Sequence, residues 1–415
     1  MKKRLRRNAV LYYAMQMLVL GIPILLIPYL SRVLGLQGFG LISMGQAFAG
    51  LVFSVIEYGF QITATRQVAA RTERGEDVSD ILSSVMSAKF LLAAIFSFFG
   101  GISLWVVPAF RDNQSIFLIA LVYGILQGFS FSWLFTGQQR YKMAASLDFS
   151  AQLLSLLLIV GFVHSPNDAW LALTCYATAQ AIIQTIAGFI AYRSHQFRPF
   201  SLAQARSELK RGRFVFFQHV IGTFYVRSSS LLLGLVATPQ AVGIFAGADK
   251  ILRGTMIPIA PLRQLFLPIM SARLARSEDS AVTLLWQLVL GTQVIALMIG
   301  GLLFFFAEPL VRLILGPELA PAANLLRLFA LLPAIIFALE IFTVLWMLPR
   351  HQDAQLTKIT MATLVVSIVL GLGLGALMTW RGTGLAVLLT NVFTMVLVVR
   401  SITQPGWRKL LPSRR

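Results

Sequence analysis

The chain has 415 residues, 57% of them hydrophobic and only 12% charged, with a mean hydropathy of +0.77. That excludes an ordinary soluble protein, a disordered chain and a fibrous repeat, and it reads as a membrane protein. The 35 Lys and Arg against 16 Asp and Glu give a formal net charge of +19, which in a soluble chain would point to nucleic acid.

Each span needs about 20 mostly apolar residues. Cutting at charged or Pro/Gly-rich breaks predicts twelve spans, near 9–30, 39–62, 81–107, 115–137, 146–164, 169–192, 214–236, 241–266, 281–306, 322–346, 359–379 and 384–402. The basic start Lys2-Lys3-Arg4-Leu5-Arg6-Arg7 imitates a signal peptide. No small-residue cleavage site follows, and the apolar run continues into Pro28-Tyr29-Leu30, so it is read as an uncleaved first span. Pro258 and Pro261 interrupt the eighth span.

With the spans in place, most of the Lys and Arg fall on the side that also holds both termini. Lys2, Arg71, Arg74, Arg140, Arg193, Lys210, Arg276, Arg350 and Arg408 lie there, against Arg32, Arg111, Arg312, Arg327 and Arg381 opposite. Positive loops stay in the cytoplasm, so both termini are expected to be cytoplasmic. The charge is thus a topology signal spread over many loops, and a nucleic-acid partner is not expected. No loop is long enough to form an extramembrane domain with its own core.

The loop at 193–213 divides the spans into six and six. Gly38-Phe39-Gly40-Leu41, entering the second span, is echoed by Ala241-Val242-Gly243-Ile244, entering the eighth. Gln139-Arg140 is echoed by Pro349-Arg350. Together these predict two six-helix lobes, 1–200 and 201–415, in the same orientation and related by an axis along the membrane normal.

Ionisable residues at membrane depth are costly and therefore functional candidates. They are Glu57, Lys89, Arg227, Asp249, Lys250, Arg253, Arg263 and Glu340, with Arg32 and Arg66 at span ends. The positive members outnumber the negative ones, which favours an anionic substrate. In the second span Ser43, Gln46, Gly50, Ser54, Glu57 and Gln61 recur every three or four residues as a polar stripe, and His219, Thr223, Arg227 and Ser230 do the same in the seventh. A close helix interface would produce such stripes too, since small residues promote close packing. Asp249 and Arg253 are four apart and can neutralise each other. Lys89 either faces a cavity or snorkels to the cytoplasmic surface. Cys175 lies alone in an apolar run, and His219 has no metal-ligand companion, so no metal site and no cofactor are expected. Nucleotide-loop and hydrolase motifs are absent, which argues against an ATP-driven pump.

Several of these residues form a recognisable pattern. Pro28-Tyr29-Leu30-Ser31-Arg32-Val33-Leu34-Gly35, Gly38-Phe39-Gly40, Glu57-Tyr58-Gly59-Phe60 and Thr63-Ala64-Thr65-Arg66 resemble the opening of the Wzx-type flippases of lipid-linked oligosaccharides. Trp133-Leu134-Phe135-Thr136-Gly137 with Arg140 is similar to the same family. So is Val242-Gly243-Ile244-Phe245-Ala246-Gly247-Ala248-Asp249-Lys250-Ile251, followed by Pro261-Leu262 and Leu265-Phe266-Leu267-Pro268. Glu57 stands where such proteins often carry Asp.

The family belongs to the multidrug, oligosaccharidyl-lipid and polysaccharide exporter superfamily. The resemblance implies an all-α polytopic membrane protein of about twelve transmembrane helices, in two six-helix lobes around a V-shaped central cavity. It implies a flippase of the bacterial inner membrane that moves undecaprenyl-diphosphate-linked glycans to the periplasmic leaflet, coupled to H+ or Na+. A polysaccharide polymerase and a chain-length regulator would be its partners. On this reading Arg32, Arg66, Lys89, Arg227, Lys250 and Arg253 attract the diphosphate, which suits Arg forks. Glu57, Asp249 and Glu340 take the coupling ion. A drug or cation antiporter of the same superfamily is the alternative, and a membrane-embedded glycan polymerase or ligase a more distant one.

Overall fold

The computed structural model describes residues 21–196, 198–257 and 259–403; the side chains of residues 218, 225–227, 260 and 261 also lie outside the description. The first twelve residues of the expected first span, Pro258, and the basic clusters at both termini therefore fall outside it. Among the described residues there are helices and no strands.

The helices are α1 Gly21–Val33, α2 Gly35–Glu57, α3 Phe60–Glu73, α4 Ser79–Val106, α5 Pro108–Arg111, α6 Gln114–Gly128, α7 Ser132–Gly137, α8 Tyr141–Phe162 and α9 Ala169–Ser194. They continue as α10 Leu202–Val236, α11 Pro239–Thr255, α12 Ile259–Arg276, α13 Glu278–Phe305, α14 Ala307–Ile314, α15 Ala322–Phe329, α16 Leu332–Glu340 and α17 Asp353–Thr403. A π-helical segment, Ile341–Met347, follows α16 directly.

Among the described residues, eight helical stretches are long and apolar enough to cross a bilayer. Trp105, Phe305 and Leu377 are 70%, 77% and 80% exposed. Such outward apolar surface is tolerated against lipid tails but not by a soluble monomer. The chain is an all-α, multi-pass membrane protein. The difference from twelve has a physical cause. The expected span 241–266 is shared between α11 and α12, and neither piece counts as a span alone, whereas the expected span 322–346 is represented by α16 continuing through the π segment, Leu332–Arg350.

Conversely α17, with 51 residues, holds two expected spans. At Thr379 its backbone leaves the helical region (φ 53°, ψ −129°). The Thr363 and Thr394 hydroxyls meet at 2.9 Å, and Ser401 donates to Gln355 at 3.0 Å. Residues on either side of Thr379 thus pair across an antiparallel hairpin, and Gly382 packs so closely on Leu374 that no Cβ would fit.

By contacts the chain divides into two compact units, Met1–Leu235 and Val236–Arg415. In the first, α2 packs on α6 through small residues. A Cβ at Gly124 would lie 2.5 Å from the Ala49 carbonyl, so only glycine permits that approach. A core of Phe60, Val85, Trp133, Leu134 and Phe135 fills the space between α3, α4 and α7. By contacts helix α10 falls in this unit. Its first half is held there by the Tyr58 hydroxyl, which donates to the Leu209 carbonyl at 3.0 Å, and by Tyr58 stacked on Phe216 at 4.1 Å. In the second unit Leu285, Trp346, Met347 and Val398 are core residues.

Candidate functional site

The charges at membrane depth gather where helices are interrupted. Helix α2 ends at Glu57, and Tyr58 and Gly59 both take positive φ (54° and 81°) before α3 begins. Glycine is required at 59: its φ is left-handed, and a Cβ would meet Val215 at 2.7 Å. The new helix end exposes backbone N–H groups, and the Glu57 carboxylate accepts two of them, from Gly59 at 2.8 Å and Gln61 at 2.5 Å. A buried anion at a helix N-terminus is favoured by the helix dipole as well as by these bonds. The Glu57 side chain is 8% exposed.

The opposite case occurs between α6 and α7. The chain leaves helical geometry at Phe129 to Phe131, freeing the Ser130 carbonyl, and Lys89 of α4 donates to it at 2.8 Å. Lys89 is fully buried (0% exposed), lies over the Phe60 ring and interacts electrostatically with Glu57. Ser130 and Ser132 hydroxyls bond at 3.2 Å, and Ser132 donates to Asp148 at 2.9 Å. Each buried charge thus satisfies backbone that its neighbouring helix break has released. Lys89 does not snorkel, since its ammonium ends inside the protein.

His219 of α10 completes this cluster. Its Nε2 lies 3.2 Å from Glu57 Oε2, close enough for an ion pair but outside hydrogen-bond geometry. An acid distant in sequence thus faces His219. Asp148 is a second residue that the charge pattern did not single out. Its place near the start of the expected span 146–164 was the available signal.

In the second unit, α11 carries Asp249, Lys250 and Arg253. Arg253 Nε donates to Asp249 Oδ2 at 2.6 Å across one turn, as their spacing predicts. Lys250 is half-buried and Arg253 exposed at the last turn. Arg263 of α12 lies 3.6 Å from Glu340, the last residue of α16 before the π segment. These two, with Phe266, Leu288, Thr292 and Ile341, line a small cavity. Glu340 thus also stands at an interruption, and π segments often mark functional positions.

Of the remaining expected residues, Arg32 in α1 and Arg66 in α3 are exposed, and the side chain of Arg227 lies outside the described residues. The structure brings Glu57 and Lys89 together, and Asp249, Lys250 and Arg253 onto one helix. Among the described residues no group of three His, Cys, Asp or Glu is placed to hold a metal.

Comparison with known proteins agrees with this architecture. The protein named "Putative O-antigen transporter" of Escherichia coli (strain K12) is 26% identical over 403 residues, covering 96% of each chain. Among solved structures, an inward-facing multidrug resistance MATE family transporter of the MOP superfamily matches with a TM-score of 0.62 at 14% identity, covering 93% of this chain and 97% of its own. The lipid II flippase MurJ in an inward closed conformation matches with a TM-score of 0.63 at 11% identity, covering 94% of this chain and 89% of its own. At these identities the two structures speak to the fold. The model of the family "Polysaccharide biosynthesis protein" matches residues 5–274, a stretch that includes both the Glu57 elbow and the charged α11, and the chain belongs to that family.

Proposed function

We propose that the protein is a flippase that carries undecaprenyl-diphosphate-linked oligosaccharide units from the cytoplasmic to the periplasmic leaflet of a bacterial inner membrane. Family membership, the transporter relative and the flippase fold support it. The observation that carries the substrate class is the charge balance at membrane depth. Arg32, Arg66, Lys89, Lys250, Arg253 and Arg263 outnumber Glu57, Asp148, Asp249 and Glu340, and three of those acids already face a base, His219, Arg253 or Arg263. A diphosphate head needs such a surplus, whereas a cationic drug would need the reverse. The polyprenyl tail stays in lipid while the head crosses.

Alternating access between lobes 1–200 and 201–415, cytoplasmic termini, and coupling to H+ or Na+ belong to the same proposal. So do Arg32, Arg66, Arg227, Lys250 and Arg253 as diphosphate contacts, and a polymerase and chain-length regulator as partners. The test is flipping of a defined lipid-linked glycan in proteoliposomes. Arg227→Ala with Lys250→Ala is expected to lower the rate at least about 100-fold while the protein remains folded in the membrane, as for the loss of two charge-assisted contacts to phosphate. Wild-type rates in that double variant would overturn the site.

A further inference from the structure

We propose that the start of α8 and the end of α9 form a binding site for an anionic phospholipid of the surrounding bilayer, with Lys142 and Arg193 as the contacts to its phosphate. In the orientation proposed above this is the cytoplasmic leaflet, but the site itself does not depend on that assignment.

Basic residues at one surface are expected of any multi-pass protein, so what matters is which of them already have a partner. In the first unit, Arg71 meets Glu76 at 4.0 Å and Asp80 at 3.8 Å, Arg74 meets Glu76 at 3.4 Å, Arg198 pairs with Asp80, and Arg211 meets Glu208 at 2.9 Å. Those bases are neutralised within the protein. Lys142 and Arg193 are exposed, and neither lies within ion-pair distance of a carboxylate among the described residues. The first turn of α8 contains no acid, and Asp148 further along it accepts from Ser132.

The two bases stand at the same end of a packed helix pair. Gln138, just before α8, and His195, just after α9, meet through their side chains at 2.8 Å, and Asp77 lies 3.7 Å from the same imidazole. At about 100° per residue, Lys142 falls on the face of α8 that carries Leu153, Leu157 and Val160, and Arg193 on the face of α9 that carries Ile182, Ile186 and Phe189. All six apolar residues are exposed, Leu157 by 61% and Phe189 by 66%. Each base thus crowns an apolar stripe turned to lipid.

Their depth fits a phosphate. Lys142 is 20 residues from the exposed Phe162, and Arg193 is 23 from the exposed Trp170. At about 1.5 Å per residue these lengths match the roughly 30 Å of bilayer hydrocarbon, which puts both bases at head-group level. Each follows a tyrosine, Tyr141 or Tyr192, a residue type suited to that boundary.

Two positive charges with no acid beside them attract a phosphate and repel the ammonium of a zwitterionic head group. The acyl chains of the same molecule lie along the two stripes, contacts that a free phosphate lacks. A second copy of this chain, docked by the same face, would bring its own Lys142 and Arg193 against these and be repelled. An anionic lipid held there fixes the depth at which α8 and α9 sit.

The test is native mass spectrometry of the full-length protein, titrated in detergent with phosphatidylglycerol or with phosphatidylcholine of the same acyl chains. Wild type is expected to bind the first phosphatidylglycerol more tightly than phosphatidylcholine. Lys142→Gln or Arg193→Gln weakens that binding about fivefold and the two together about 30-fold, as for one and two basic contacts to an anionic surface. Lys142→Arg with Arg193→Lys, which keeps both charges, retains it. Arg206→Gln with Arg276→Gln removes the same charge from exposed positions elsewhere and leaves the binding unchanged. Phosphatidylglycerol bound no better than phosphatidylcholine, an equal loss in the Arg206 and Arg276 variant, glycerol phosphate bound as tightly as the whole lipid, or dimers in place of lipid adducts overturns the proposal. Binding is read without transport. If wild type flips no lipid-linked glycan in proteoliposomes while these affinities hold, the flippase reading fails and the lipid site stands.

Discussion

The charge cluster around Glu57 and the one around Glu340 differ in what surrounds them. Glu57 and Lys89 are 8% and 0% exposed and are bonded to backbone at two helix breaks. Arg263 and Glu340, 45% and 33% exposed, meet at 3.6 Å beside a cavity. Buried charges that satisfy released backbone act as part of the scaffold, because removing one strands the other. Charges left partly uncovered at membrane depth cannot rest against hydrocarbon, so they face water, head groups or a ligand. Similar residue types at similar positions therefore do different work, and exposure tells them apart.

The largest test of that contrast is Lys89→Met. It leaves the Ser130 carbonyl and the Glu57 carboxylate without their cation, and is expected to destabilise the protein by about 3 kcal/mol or more, measured by SDS titration of protein in mixed micelles. A loss below about 1 kcal/mol would remove the distinction. Arg263→Ala, by contrast, should change stability by less than about 1 kcal/mol in the same titration, because a half-exposed pair is weak. Its effect should appear in glycan flipping instead.

The smallest effect is expected outside the membrane. Ser79 donates to Asp77 through its hydroxyl at 2.8 Å and its N–H at 3.1 Å, with His195 3.7 Å away, and the hydroxyl bond above all holds the Asp77 carboxyl below its ordinary value of 3.8. A lowered carboxyl contributes stability above that ordinary value and loses it as the pH falls through the folded one. Asp77→Asn is thus expected to be slightly less stable than wild type at pH 7, by under about 1 kcal/mol, given how exposed the group is. The two should converge as the pH drops below 3.8. A gap that widens in acid would reverse the sign.

Much of this was legible in the sequence. The apolar runs, Glu57, Lys89 and the one-turn spacing of Asp249 and Arg253 follow from composition and period. What stayed hidden were the interruptions. The break at Tyr58 and Gly59 has no proline, and neither does the one at Phe129 to Phe131, so the apolar run gave no sign of either. The partner of His219 was equally invisible, because facing across helices depends on packing and not on spacing. Those two omissions are linked: the elbow is what turns Glu57 toward α10. The charge pattern identified the right side chains but not the released backbone that explains two of them.

The hairpin in α17 has a consequence for how the protein is made. Its two arms meet at Thr379 with almost no chain between them, and each arm pairs with the other through Thr363 and Thr394. Threonine hydroxyls and the glycine contact at 382 are matched only when both arms are present. Such a segment completes its packing only as a pair, so a chain ending before the second arm would leave the Thr363 hydroxyl without Thr394.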